Sequence, residues 1–127
     1  MALTHTSAVR TALADKIDDY VNTGAGTAKC QIATSSAFTT LLAEFDLSNP
    51  AFGAAVAGVI TLASVPKTDS SANNTGTAAN GRIIDRDGTE IVRGTVGTSG
   101  TDWIIDNVSI VSGQTVILNS LTWTAPA

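Results

Sequence analysis

The segment with the strongest suggestion of chemistry is residues 22–30, NTGAGTAKC, where two glycines are followed by a Thr and a Lys. Such loops cradle phosphate when a strand leads into the loop and a helix follows, because the helix N-terminal amides then face the anion. Here a helical pattern precedes the glycines and an alternating pattern follows them. A helix C-terminus, with its negative partial charge, would therefore face the loop. We interpret the segment as a helix stop and a joint into the first strand, with Lys29 on the polar face of that strand.

A second segment, residues 85–90 with the sequence DRDGTE, matches part of a calcium-binding loop. Asp85, Asp87 and Glu90 would be its oxygen ligands. A complete loop of this kind spreads its ligands over about twelve residues between two helices, whereas here β-branched runs flank the segment. Asp87-Gly88 is also a favoured dipeptide for a β-hairpin turn. The sequence therefore predicts a solvated hairpin tip and leaves a surface cation site at the three acidic residues as the alternative.

Hydrolytic chemistry has few candidate residues in this chain. A Ser–His–Asp triad would have to use His5, the single histidine, which lies in a predicted N-terminal arm. A carboxylate pair would need two acids in one cleft. The acids that lie in or beside strand patterns, where an outward and solvated orientation is expected, are Glu44, Asp46, Asp102 and Asp106. We therefore predict no enzymatic activity and no cofactor.

Composition narrows the function classes further. The net charge is −4 and the seven basic residues are scattered along the chain, whereas nucleic-acid binding needs clustered Lys and Arg. The longest apolar run, residues 51–63, is too short to span a membrane. The N-terminus lacks the apolar segment of a secretory signal, so we expect folding in a cytoplasm. Cys30 is the only cysteine, which excludes an intrachain disulfide and a Cys/His zinc site and indicates a small buried strand residue.

An amphipathic helix is predicted for residues 8–22. Its apolar residues recur three or four positions apart and form one stripe, Val9, Leu13, Ile17, Tyr20 and Val21. Residues 1–7 are predicted to be an arm in which Thr6 or Ser7 caps the helix. A single helix of about four turns is not stable alone in water, so we expect it to dock on another surface.

The remainder of the chain, residues 27–127, alternates between β-branched or apolar runs and turn-forming dipeptides. About seven short strands separated by turns are typical of a sandwich or jelly-roll. The predicted fold is mainly β, an antiparallel β-sandwich or jelly-roll-like single domain preceded by the N-terminal helix. Charged residues make up only 14% of the chain, which favours a surface that packs against other subunits.

The chain has only six aromatic residues: Tyr20, Phe38, Phe45, Phe52, Trp103 and Trp123. Exposed aromatic rings would allow stacking on sugars and would indicate a glycan-binding module. In so small a set, packing in the core or against a subunit is the expected role. Both interpretations stay open for Trp103 and Trp123.

Four segments taken together resemble a group of small virion structural proteins of tailed bacteriophages. These are KIDDYVNTGAGTAKCQI, LLAEFDLSNPAFGAAVAGVITL, DRDGTEIVRGTVGTSGTD and the terminal SIVSGQTVILNSLTWTAPA. The resemblance runs from about Lys16 to the end of the chain. None of the four segments is a catalytic signature.

The resemblance implies a capsid decoration (cement) protein that binds the outer shell and stabilises it, with a tail, head–tail connector or head-fibre component as the alternative. It implies location in the virion after synthesis in the host cytoplasm. The implied partners are further copies of the chain, as a trimer, and the major capsid protein or other virion proteins, without nucleic acid or membrane. The candidate interface residues are Val9, Leu13, Ile17, Tyr20, Trp103 and Trp123.

Overall fold

A computed structural model describes residues 3–48 and 50–125 of the chain. Its helix, α1, spans Ser7–Val21, within one residue of the predicted bounds at each end. Thr6 is the N-cap, and its hydroxyl accepts a hydrogen bond from the Val9 N–H at 3.3 Å. Asn22 is the C-cap. The predicted N-terminal helix is therefore confirmed, and the cap is Thr6 rather than Ser7.

Within the described residues, ten strands follow the helix. They are β1 Lys29–Ala33, β2 Leu41–Asp46, β3 Val59–Thr61, β4 Lys67–Asp69, β5 Gly76–Thr77, β6 Asn80–Ile84, β7 Glu90–Gly97, β8 Trp103–Ile105, β9 Ser109–Ile110 and β10 Val116–Thr124. Among the described residues no helix is long and apolar enough to span a membrane.

The main sheet has the strand order β2-β1-β6-β7-β8-β10-β3, and β4 also pairs with β10. A small separate pair is formed by β5 and β9. All pairs are antiparallel except β7 with β8, so the predicted mainly β fold is confirmed with a mixed sheet. The parallel pair arises because residues 98–102 fold back along the edge of β7. There the Asp102 carboxylate accepts hydrogen bonds from the N–H and the hydroxyl of Thr95.

The main sheet curls until its two ends approach each other. The Asp69 carboxylate on β4 accepts a hydrogen bond from the Glu44 N–H on β2 at 2.9 Å. Close by, the Asn73 N–H donates to the Leu42 carbonyl at 2.8 Å. These side-chain and loop contacts close the seam in place of a continuous backbone ladder, and the curled sheet encloses one hydrophobic core.

Trp103 lies at the centre of this core with 1% of its surface exposed. Its indole packs over Gly81 on β6 and Gly94 on β7, which are cross-strand partners. A Cβ atom at Gly81 would lie 2.9 Å from Trp103 Cδ2, and one at Gly94 would lie 2.7 Å from Cζ3. The indole N–H donates to Cys30 Sγ on β1. The two glycines therefore leave the space that the largest core side chain occupies.

The helix docks on this body through one of its sides. Ala14 and Val21 are fully buried there, and Ile17 packs against the core. Two polar contacts fix its N-terminal half, since Arg10 Nη2 donates to the Ala125 carbonyl at 3.1 Å and the Gly58 N–H donates to Thr11 Oγ1 at 3.2 Å. The helix thus ties the end of β10 to the turn before β3.

Candidate functional site

The glycine-containing segment after the helix contacts the β6–β7 hairpin tip. The Gly26 N–H donates to the Arg86 carbonyl at 3.0 Å, and Arg86 Nε donates back to the Gly26 carbonyl at 2.7 Å. The Ala25 N–H donates to Asp87 Oδ1. Gly24 has φ +114°, and a Cβ there would lie 2.7 Å from Asp87 Cγ. Two amides of this segment, those of Ala25 and Gly26, are thus engaged by the hairpin, so the segment acts as a joint.

The predicted hairpin is confirmed, but its tip is less solvated than expected. Asp85 is only 8% exposed, because its Oδ1 accepts hydrogen bonds from the N–H groups of Asp87 and Thr89 at 2.9 and 2.8 Å. This carboxylate holds the turn from within. The prediction of a solvated Asp85 was wrong, since alternation along a strand does not reveal a side chain that turns back to its own backbone.

The three predicted cation ligands are engaged by different partners. Asp85 holds the turn, Asp87 accepts from the glycine segment, and Glu90 forms ion pairs with Arg93 and Arg82 at 2.7 and 3.4 Å. The hydrogen bond from Arg93, with that from Arg82, lowers the pKa of Glu90. Within residues 3–48 and 50–125, no cluster of three or more His, Cys, Asp or Glu side chains is placed to hold a metal ion. A cation site at this hairpin would have to displace protein donors.

A row of polar side chains crosses four strands on the outer face of the sheet. Gln31 Nε2 donates to Glu44 at 2.7 Å and Arg82 Nε donates to Gln31 Oε1 at 2.8 Å. The Phe38 ring lies 4.5 Å from the Arg82 guanidinium carbon and 5.2 Å from that of Arg93. Each member has a protein partner, so this row stabilises strand register.

A polar cleft of about 460 Å³ lies beside the seam of the sheet. Its charged lining is Lys29, Glu44, Asp46, Lys67 and Asp69. Lys29 forms ion pairs with both Glu44 and Asp46. These two partners, and chiefly the hydrogen bond to Asp46, raise the pKa of Lys29. The predicted acids Glu44 and Asp46 do share a cleft, but a lysine lies between them and the lining has no dominant charge.

The Cys30 thiol is completely buried, and its loss of solvation raises its pKa to about 12. A thiol rather than a thiolate is therefore present at neutral pH, and thiols are poor nucleophiles. We expect Ellman's reagent to leave Cys30 unmodified in the folded protein at pH 8 and to modify one thiol per chain in guanidinium chloride. Rapid modification of the folded protein without denaturant would contradict this placement.

The predicted apolar stripe of α1 divides between two sides of the helix. Ile17 and Val21 face the core, whereas Val9, Leu13 and Tyr20 are 45%, 38% and 53% exposed. At 100° per residue these three exposed side chains lie within about 40° of one another, so they form one outward strip. We call Val9, Leu13 and Tyr20 the outer strip.

The two tryptophans occupy different environments. Trp103 is in the core, which removes it from the candidate interface residues and confirms the packing role. Trp123 is half-buried and lines a cavity of about 210 Å³ between β7 and β10, which we call the slot. The apolar side chains around the slot are Phe52, Ile83, Val92, Trp103, Leu121 and Trp123. The polar ones are Arg93, Asp102, Thr122 and Thr124.

The sequence could not reveal the slot, because its lining residues come from β6, β7, β8, β10 and two loops. The pair of tryptophans was the one signal that pointed towards it.

Comparisons with protein-family models, with curated proteins and with solved structures find no match to this chain.

Proposed function

We propose that this chain is a structural protein of a tailed-bacteriophage virion, a capsid decoration protein that binds the outer shell and stabilises it. Two arguments support the proposal: the resemblance of its four sequence segments to small virion proteins, and the outer strip of α1. The outer strip is the observation that carries it. Large apolar side chains aligned on the solvent side of a helix are typical of a protein interaction surface.

The proposed mechanism is mechanical rather than catalytic. The helix is fixed to the body by Arg10, Thr11 and its buried side, so the outer strip is presented on a rigid element. We propose that the strip packs against neighbouring copies in a trimer and against the major capsid protein. Many copies, each with a modest interface, then stabilise the shell by mass action and by multivalent attachment.

The alternative is a tail, head–tail connector or head-fibre component, which would use the same outer strip for a different partner. A virion map separates these positions by copy number. Hundreds of copies on the shell support decoration, whereas a dozen or fewer copies at one vertex support a connector or fibre. Binding of the purified protein to empty expanded capsids, with increased resistance of those capsids to heat, is the corresponding solution test.

A single charge placed in the outer strip tests its role in association. We expect Val9→Asp to dissociate the oligomer and to weaken capsid binding by about tenfold or more, because a desolvated carboxylate costs several kcal/mol at an apolar interface. The circular dichroism spectrum should stay unchanged, since Val9 is 45% exposed. Analytical ultracentrifugation and capsid co-sedimentation measure the two effects.

The matched control is Val111→Asp. Val111 is an exposed valine that lies outside the helix, and its exposed fraction, 56%, is somewhat larger than that of Val9. Introducing the same charge there should leave association and capsid binding at the parent level. If the two variants behave alike, or if the parent chain is monomeric and binds no virion component, the proposed function is wrong.

A glycan-binding module is the second candidate function, and the slot with Trp123 is the observation that favours it.

A further inference from the structure

The slot forms where two strands of the sheet separate. β8 pairs with β7 at Val96 and Gly97 and with β10 as far as Leu121, and it begins at Trp103. Beyond that point no strand lies between β7 and the last residues of β10. The opening is about 210 Å³, which corresponds to about seven waters at roughly 30 Å³ each. This volume suits one small ring and is below the roughly 300 Å³ or more of most pockets for drug-sized ligands.

The apolar side of the slot includes an aromatic side chain that is partly accessible. Trp103 and Phe52 are almost fully buried and form its floor, whereas Trp123 is half-buried and retains accessible surface. An indole face carries negative charge density from its π electrons. It therefore attracts polarised C–H groups, such as those on one face of a sugar ring.

The polar side of the slot offers partners for hydroxyl groups. Asp102 Oδ2 accepts hydrogen bonds from the Thr95 N–H and hydroxyl at 2.9 and 3.1 Å, which fix the orientation of the carboxylate. Its other oxygen, Oδ1, accepts no hydrogen bond from the part of the chain that the structure describes. Thr122 and Thr124 also line the slot, and both residues are exposed.

Arg93 also lines the slot, but its guanidinium is already hydrogen-bonded to other residues. Its guanidinium donates to both oxygens of Glu90 and to the Ser36 carbonyl. The positive charge of Arg93 is thus paired with Glu90, and the Asp102 carboxylate is the charge in the slot lining that has no ion-pair partner among the described residues, which disfavours an anionic ligand. A neutral ligand that has one apolar face and a hydroxylated edge matches this combination.

From this geometry we infer that the slot binds a single neutral pyranose ring, such as the terminal residue of a glycan. The ring would stack on Trp123, and one of its hydroxyl groups would donate a hydrogen bond to Asp102 Oδ1. An apolar side chain from a partner protein fits less well, because it would cover Asp102 Oδ1 without supplying a donor, and a buried acceptor without a partner is unfavourable. The inference does not depend on the proposed place of the chain in a virion.

The test uses the wild-type protein and two-dimensional ¹⁵N–¹H NMR, since the two tryptophans give two indole N–H signals. Methyl glycosides of glucose, galactose, mannose and N-acetylglucosamine are titrated separately. We expect at least one of them to shift the Trp123 indole signal saturably, with a Kd on the order of 1 mM, and to receive saturation transfer from aromatic protons. Absence of any shift for all four sugars up to their solubility limits overturns the inference.

Variants then locate the site. We expect Trp123→Ala to weaken binding of the responsive sugar about tenfold or more and Trp123→Phe, which retains a ring, to weaken it less. The control is Val111→Ala, which removes exposed apolar surface outside both the slot and the outer strip and should leave the Kd unchanged. If Trp123→Ala does not fold, Trp123→Phe and the wild-type titration still decide. If indole or toluene shifts the Trp123 signal while no sugar does, the slot is an apolar pocket and the inference is wrong.

Discussion

Replacement of Trp103 by Ala is expected to lower the free energy of unfolding by about 3–5 kcal/mol, the range measured for large aromatic residues removed from cores. Trp103 is the largest side chain in the core, and it contacts β1, β6 and β7 through Cys30, Gly81 and Gly94. The surrounding strands cannot collapse into the vacated space, because each is held in the sheet by its ladder. Since whole domains are stable by only about 5–15 kcal/mol, the variant should lose a large part of its stability.

Urea unfolding followed by circular dichroism measures this effect, because tryptophan fluorescence changes with the substitution itself. A loss below about 1 kcal/mol, the average of all point mutants, would show that Trp103 is not the centre of the core.

The double variant of Gly81 and Trp103 is the control for this mechanism. Gly81→Ala alone should destabilise the chain by about 1–3 kcal/mol as overpacking does, since its Cβ would lie 2.9 Å from the indole. In the Trp103→Ala background that neighbour is gone, and the cost of the same substitution should shrink. Additive effects would contradict the contact, because residues that touch show coupling of about 0.5–3 kcal/mol.

The fold class was predictable from local patterns, whereas the packing around Trp103 was not. The helix, the first strand and the hairpin at Asp87-Gly88 follow from local periodicity and turn chemistry. Gly81 and Gly94 look like ordinary strand weakeners in the sequence. Their role in leaving space for Trp103 follows only from the β6–β7 register, which places them opposite each other under one indole.

The candidate sites show the same division between local and long-range information. The segments at residues 22–30 and 85–90 were each interpreted separately, and neither pattern indicates that they contact each other. Asp85 was expected to face solvent, yet it satisfies two amides of its own turn. Local sequence identifies a polar residue at a turn, but the orientation of its side chain depends on which backbone donors the turn leaves unpaired.

The helix carries the clearest case of an ambiguous pattern. Val9, Leu13, Ile17, Tyr20 and Val21 read as one stripe that faces one surface. The body instead takes the side with Ala14, Ile17 and Val21. On that side Arg10 and Thr11 also hydrogen-bond to Ala125 and Gly58. One part of a broad apolar surface is therefore buried together with two polar contacts, and the rest forms the outer strip.

Two neighbouring residues, Leu13 and Ala14, lie on the exposed and the buried side of α1, so the same substitution at each should have different effects. The Ala14 side chain is fully buried where the helix packs on the body, whereas Leu13 is 38% exposed. We expect Ala14→Asp to reduce the free energy of unfolding by about 3–5 kcal/mol, the usual result of leaving a buried charge without a partner. Leu13→Asp should reduce it by less than about 1 kcal/mol, chiefly through the lower helix propensity of Asp, a term of similar size in both variants.

Urea unfolding gives the two free energies, and limited trypsin digestion shows whether the helix has left the body. Ala14→Asp should expose the Arg10 and Lys16 peptide bonds to rapid cleavage, because an undocked helix of this length unfolds in water. Leu13→Asp should be digested at the parent rate while still losing association, since Leu13 belongs to the outer strip. Equal destabilisation by the two substitutions would mean that the helix does not dock through the Ala14 side. A stable and oligomeric Leu13→Asp would leave the docking intact and remove Leu13 from the interaction surface, so the pair of variants separates the fold from the proposed function.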